Sequence, residues 1–367
     1  MKVLFVFGTR PEGIKMAPII KEIEKRKDLE SYTCVTGQHR EMLDQVLEIF
    51  DIEPDYDLNI FKKGQSLTDV TTKTLLGLED ILDELKPDIL LVQGDTTTVF
   101  AAALAAFYKK IKIGHVEAGL RSGNLYSPYP EEANRKLTGV LSNYHFAPTE
   151  SNRQNLLREG YDDKNIFITG NTVIDALKYS VKEDFLFDDE ILNNLDYNKD
   201  VVLLTAHRRE NWGEPMENIF SAIRQVVLER ENIEIVFPIH LNPIVRNTAK
   251  KYFSDLDRVH LIEPLSYMPF SNLMARVKFV VTDSGGVQEE APALGKPVLV
   301  LRNETERMEG VEVKTAKLVG TNSQDVYDSI ISLLDDKNLY EEMAKAVNPY
   351  GDGHAAKKIV DILEKMN

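Results

Sequence analysis

The strongest constraint on this chain is a recurring unit: a short, continuous apolar run, a polar or glycine-bearing turn, and a helical stretch. Ile89-Leu90-Leu91-Val92 reads as a strand that ends in Gln93-Gly94-Asp95. An alanine-rich helix follows from about Thr97 to Lys109, and Lys112 to Val116 reads as the next strand, ending in Glu117. Strand, helix and strand in that order make a βαβ unit with parallel strands. The same order opens the chain, where Val3 to Phe7 leads into GTRPEGIK, a helix to about Lys27 and a strand at Tyr32 to Thr36. It returns in the second half with strands at Val201–Thr205, Ile233–Pro238, Val259–Ile262, Phe279–Thr282 and Val298–Leu301. The expected class is therefore α/β, with functional residues just past the carboxyl ends of the strands.

A length of 367 residues is long for one core and predicts two domains. We place the first at residues 1–169 and the second at 170–350. The helix expected over about His354 to Lys365, within a tail at 351–367, is expected to pack back on the first. The net charge of −15 argues against a nucleic-acid partner, but a few converging arginines can still hold a small anion. Cys34 is the only cysteine, which excludes an internal disulfide and a cysteine-built zinc site and fits a reducing cytoplasm. The apolar start is too short for a membrane span or the core of a signal peptide.

Asp95 and Glu117 occupy matching places after consecutive strands. If those strands are neighbours, a spacing of about 4.8 Å brings both carboxylates together, so one can hold a proton while the other acts as a base. A hard-metal site and coincidence are the other readings of this pair. In the opening loop, Gly8 and Gly13 have the Walker spacing, but Ile14-Lys15-Met16 stands where Lys-Ser or Lys-Thr belongs, and the dinucleotide pattern of glycines also fails. What remains there is Arg10 and Lys15. Further on, Pro130 fits the start of a helix that carries Glu131, Glu132 and Arg135 in its opening turns.

In the second half, TDSGGVQEEAPALG at 282–295 follows a strand and enters a helix. Ser284, Gly285 and Gly286 read either as a seat for phosphate or as part of a helix start capped by Asp283 or Ser284; Glu289 and Glu290 lie in its first turn. His207 and His240 fall past two strand ends, with Arg208 and Arg209 beside the first. Phe270 reads as core or as an aromatic face for a flat base.

Taken together, FGTRPEGIK, VTGQHREMLDQVL, GDTTT, GHVEAGLRS, SPYPEEANR, TAHRREN, LIEPL, TDSGGVQEEAP, TER and NPYGDG, in this order over nearly the whole chain, resemble the non-hydrolysing UDP-N-acetylglucosamine 2-epimerases. The resemblance implies a GT-B fold of two Rossmann-like domains facing across a cleft, a homodimer, and neither a nicotinamide cofactor nor a metal. It implies interconversion of UDP-GlcNAc and UDP-ManNAc through loss of UDP to 2-acetamidoglucal and its re-addition. Carried over by residue, it makes Asp95, Glu117 and Glu131 the acidic groups at the sugar. Arg10, Lys15, His207 and Arg307 surround diphosphate and sugar, with Arg135 near them. Ser284, Gly285 and Gly286 seat the phosphates, Glu290 takes the ribose and Phe270 lies on the uracil. A hydrolysing epimerase, a GT-B glycosyltransferase and a catalytically silent nucleotide-sugar sensor are the rival functions.

Many bacterial members of that family are activated by a second UDP-GlcNAc, at residues matching Gln38, Glu41, Gly64, Glu131, Arg208 or Arg209, and His240. The resemblance leads one to expect glutamine at 41 and arginine at 64. Glu41 and Gly64 add an anion and remove a cation, which predicts altered or absent activation. Met308, where a proline often follows the arginine, bears only on local loop shape.

Overall fold

The computed structural model describes residues 1–38 and 40–366. Two compact units divide the chain, one made of 1–179 with 350–367 and one of 180–349. The first is built on seven strands: β1 (Lys2–Phe7), β2 (Glu30–Val35), β3 (Tyr56–Asp57), β4 (Ile89–Gln93), β5 (Lys112–Val116), β6 (Tyr144–Ala147) and β7 (Ile166–Ile168). Their order is β3-β2-β1-β4-β5-β6-β7 and every pairing is parallel. Parallel strands buried on both faces need apolar residues throughout. β1 and β4 meet that need: Val3 to Phe7 and Ile89 to Val92 are buried without alternation. Leu78 and Leu82 from one helix, and Val99, Ala102 and Ala106 from the next, close over them.

The chain lays down strands on one side of β1 and then crosses to β4 on the other. Connections leave the ends of β1 and β4 in opposite directions, so a crevice forms at those carboxyl ends. The loops that begin at Gly8 and Gly94 are the two that border it.

The second unit repeats the scheme with β8 (Asp200–Thr205), β9 (Ile233–Pro238), β10 (Val259–Ile262), β11 (Phe279–Thr282), β12 (Val298–Val300) and β13 (Ala316–Leu318), ordered β10-β9-β8-β11-β12-β13 and again wholly parallel. Here the reversal lies between β8 and β11. The AHRREN loop and the TDSGG turn are therefore brought side by side. A core of Phe220, Phe237, Phe253, Phe279 and their aliphatic neighbours underlies this sheet.

The last helix, Ala355–Met366, belongs to the first unit. Asp175 accepts from the amides of Ala355 and Ala356 at 3.1 and 3.0 Å, capping the helix start, and Arg26 reaches Asp361 at 2.8 Å and Glu364 at 3.2 Å. Among the described residues no helix is long and apolar enough to cross a membrane. The first helix stops at Ile23, short of the Lys27 expected from the sequence.

Candidate active site

In the first unit, Gln93 is the register partner of Val116, so Asp95 and Glu117 leave neighbouring strands two residues and one residue later, respectively. Glu117 stands at φ +65°, a left-handed conformation that a residue with a Cβ adopts at some cost and that is typical of strained functional positions. Its carboxylate is held from three sides. Lys15 Nζ donates to both oxygens at 2.6 and 2.8 Å, Asn171 Nδ2 donates to Oε1 at 3.1 Å, and Gln93 Nε2 donates to Oε2. Asp95 meets a different cation: Arg135 donates from Nε at 2.9 Å and approaches from Nη2 at 2.7 Å, while Asn134 Nδ2 binds the Asp95 carbonyl at 2.9 Å. Each carboxylate thus has its own cationic partner, Lys15 for Glu117 and Arg135 for Asp95.

Glu131 begins the helix Glu131–Leu141, as the Pro130 reading predicts, and its Oε2 is buried with no hydrogen-bond partner among the described residues. A buried carboxylate oxygen left unmatched is costly in a finished core and is found where chemistry needs it. Its neighbour Glu132 is spent on structure, accepting from the amides of Ser122 and Gly123 at 3.0 and 3.3 Å and from Arg135 at 3.1 Å. Arg10 opens the helix that follows β1.

Gly13 has another task than the Walker spacing suggests. A Cβ there would meet Leu43 and Val46 at 3.0 and 3.2 Å, so this glycine lets two helices pack.

In the second unit, neither Asp283 nor Ser284 caps the helix that follows the turn. The helix Val287–Ala293 begins at Gly286 without a side-chain cap. Asp283, fully buried, instead accepts from the amides of His207 and Arg208 at 2.9 Å each and from Asn211 Nδ2 at 3.1 Å. It braces the AHRREN loop against the turn. Gly285 serves a close approach of a different kind: a Cβ there would lie 2.7 Å from Arg307 Nη1 and 3.0 Å from its Cζ. The Arg307 guanidinium is stacked on bare backbone, and the amides of Gly285 and Gly286 meet no acceptor among the described residues.

Arg307 is itself fixed by Glu289 Oε1, 2.6 Å from Nε, and by Glu306. Burial pushes the Glu306 carboxyl up, but Arg307 and Arg302 outweigh it and hold the group at about 2. Thr305 donates to Gln288 at 2.9 Å and Gln288 to the Ser284 carbonyl at 3.1 Å, which ties the RNETER loop to the turn. Glu290 folds back, with Oε1 3.4 Å from where a Gly286 Cβ would stand. Phe270, in the helix Tyr267–Arg276, is half-buried.

His207 and His240 stack with ring centroids 5.7 Å apart and 15° between planes. His207 Nδ1 lies 3.3 Å from Asp283 Oδ1. Burial, then His207, pushes His240 below the ordinary histidine value. Arg208 pairs with Glu210 at 3.3 Å and Arg209 lies 5.9 Å from the Trp212 ring. Of the residues expected at an activator site, Gln38 accepts from Thr98 at 2.8 Å, Glu41 is exposed in the first turn of its helix, and Gly64 has open space around it. Among the described residues no group of three His, Cys, Asp or Glu is arranged to hold a metal ion.

A family model described as UDP-N-acetylglucosamine 2-epimerase matches residues 21–364. The chain belongs to that family. A Bacillus subtilis protein named UDP-N-acetylglucosamine 2-epimerase is 55% identical over 363 residues, spanning 99% of this chain and 95% of its own length. One of the same name from Escherichia coli K12 is 53% identical over 371 residues, spanning 99% and 98%. The crystal structure of UDP-GlcNAc 2-epimerase from Neisseria meningitidis bound to UDP-GlcNAc is similar at a TM-score of 0.89 and 52% identity, each chain covered in full. With structures of this family the chain shares two parallel α/β sheets of the GT-B type.

Within this 2-epimerase chain, several residues at the two edges escaped the sequence reading. Glu12, wholly buried, accepts from the amides of Gly8 and Thr9 at 2.8 Å each and from Thr96 Oγ1, joining the β1 loop to the β4 loop. Burial pushes its carboxyl above the ordinary range. The T-x-x-E spacing of a capping box was its available signal. Gln93 and Asn171 act through contacts distant in sequence, and nothing local announces them; the sequence places Glu289 in the helix's first turn but does not announce its bond to Arg307. Met308 is the first residue of the helix Met308–Glu312, a position where proline and methionine both fit.

Proposed function

We propose that this chain is an isomerase that interconverts UDP-GlcNAc and UDP-ManNAc by eliminating UDP to give 2-acetamidoglucal and adding it back to the other face. The observation that carries the reading is the pair Asp95 and Glu117 past adjacent strands, each with its own cation. The hydrogen on carbon 2 is weakly acidic, so a base must take it as the diphosphate departs, and an acid must return a proton from the opposite side. Asp95, Glu117 and the unmatched carboxylate of Glu131 share these transfers, and His207 assists the leaving group. Relatives that carry the 2-epimerase name, and a family structure from Methanocaldococcus jannaschii in complex with UDP-GlcNAc and UDP, support the substrate class.

The turn at Ser284, Gly285 and Gly286, with Arg307, supplies amides and a cation where diphosphate charge grows, and Arg10 and Lys15 add to that charge balance. Glu290 takes the ribose and Phe270 the uracil. No hydrolysis follows; the reaction runs in the cytoplasm, and its product supplies ManNAc-type sugars for surface polysaccharide or glycan synthesis. The working form is a homodimer: Leu76, Leu137 and Val140, on two helices that flank a third, are exposed apolar side chains that a second copy would cover. With Glu41 and Gly64 in place, activation by a second UDP-GlcNAc is weakened or absent.

Proton NMR of UDP-GlcNAc incubated with the protein in deuterated water tests the whole scheme. UDP-ManNAc with deuterium at carbon 2, and no accumulating ManNAc, is the expected result. Free ManNAc with UDP would make the chain a hydrolysing enzyme, and unchanged UDP-GlcNAc would make it a binder.

A further inference from the structure

We infer that His115 is a positioning residue for Asp95, acting by holding the peptide unit that precedes it; the inference rests on the catalytic reading of Asp95 above. His115 is the fourth residue of β5 and is buried, and its Nε2 lies 2.7 Å from the Gly94 carbonyl oxygen. A carbonyl only accepts, so the imidazole proton sits on Nε2 and the lone pair on Nδ1. That assignment agrees with a buried Nδ1 that has no partner among the described residues. Burial lowers His115 to about 4, so the ring is neutral near pH 7.

The held carbonyl belongs to the same rigid plane as the Asp95 amide. Rotating that plane swings the Asp95 Cα–Cβ bond and with it the carboxylate. Gly94 stands at φ +81°, and its amide donates to the Val116 carbonyl at 3.0 Å. Both polar atoms of Gly94 are therefore tied to β5, on either side of the residue's soft torsions. Glycine permits the left-handed turn, but it also leaves the turn the least stiff part of the strand end. The His115 bond supplies the stiffness that the glycine gives up. The same turn abuts the second carboxylate, since a Cβ at Gly94 would lie 3.7 Å from Glu117 Oε2.

The test compares His115→Phe, which keeps a ring and removes the donor, with His115→Gln, whose side-chain amide nitrogen falls near the Nε2 place. We expect His115→Phe to lose roughly a hundredfold in kcat for UDP-GlcNAc with KM changed less than about threefold, and His115→Gln to recover most of that loss. Hydrogen exchange at the Gly94 amide should be roughly tenfold faster in the Phe variant and close to wild type in the Gln variant. If His115→Phe does not fold, His115→Asn, whose shorter amide falls near the Nδ1 place, takes its part. His115→Phe, or His115→Asn in its place, with kcat within twofold of wild type, or a Gln variant no better than it, overturns the assignment. Should the wild-type protein not turn over UDP-GlcNAc at all, the functional reading fails, and the exchange comparison still decides whether His115 holds the turn.

Discussion

Lys15 Nζ lies 2.6 Å and 2.8 Å from the two carboxylate oxygens of Glu117, although 102 positions separate the residues in the chain. The pair is largely shielded, with 17% and 11% of the side chains exposed. An ammonium bound to both oxygens of a residue in a left-handed backbone position fixes the direction of the carboxylate as well as its charge. We expect Lys15→Met to reduce kcat on the order of a hundredfold or more, with circular dichroism unchanged. Steady-state epimerisation assays check this, and near-normal turnover would remove Lys15 from the chemistry.

The carboxylates themselves make a sharper case. Asp95→Asn and Glu117→Gln keep shape and remove the basic oxygen, so each should lower turnover by about a hundredfold to ten-thousandfold. Loss of deuterium incorporation at carbon 2 should accompany the loss of rate. If both variants retain near-normal turnover, the mechanism proposed here is wrong.

Gly285→Ala places a methyl group where Arg307 now stacks, 2.7 Å from Nη1. The guanidinium must move, and we expect UDP to bind roughly tenfold more weakly, as for losing one charge-assisted contact. The double variant Gly285→Ala with Arg307→Ala should be no weaker than Arg307→Ala alone, because both changes disable the same contact. Calorimetric titration with UDP measures this, and additive losses would contradict the shared origin.

Stability should depend on two buried histidines that sit opposite each other on β5 and β6. Burial lowers His115 to about 4, while burial, then His115 and Arg121, lower His145 to about 3; an unfolded histidine stands at 6.5. As pH falls below 6.5 the unfolded chain takes up protons first. The stabilisation is complete above 6.5 and is lost on the way down to about 4 for His115 and about 3 for His145. The slope is up to roughly 1.4 kcal/mol per pH unit for each ring. Urea midpoints between pH 7.5 and 5 should therefore fall less steeply in His145→Gln than in wild type; equal slopes would show that His145 titrates normally when folded.

Activation is tested by the shape of the substrate curve. With Glu41 exposed and no cation at Gly64, we expect hyperbolic kinetics and conversion of UDP-ManNAc without added UDP-GlcNAc. A sigmoidal curve, or a reverse direction silent until traces of UDP-GlcNAc are supplied, would overturn that expectation.

The sequence by itself determined the repeating strand-to-helix scheme, the placing of Asp95, Glu117, His207 and Ser284 at strand ends, and the family. Those features are local: a continuous apolar run marks a buried parallel strand, and whatever follows it lies at the carboxyl edge. The short edge strands Tyr56–Asp57 and Ala316–Leu318 carry no such pattern in two or three residues, and the pairing of neighbours alone makes them strands. Only the tertiary structure decided that the TDSGG turn uses Asp283 to hold the His207 loop, that Gly285 is bare so that Arg307 can lie on it, and that Gly13 serves a helix contact. The partners of Glu117 show the reason most clearly. Lys15, Gln93 and Asn171 come from three separate segments, and a bond between side chains far apart in sequence exists only once the strands are ordered.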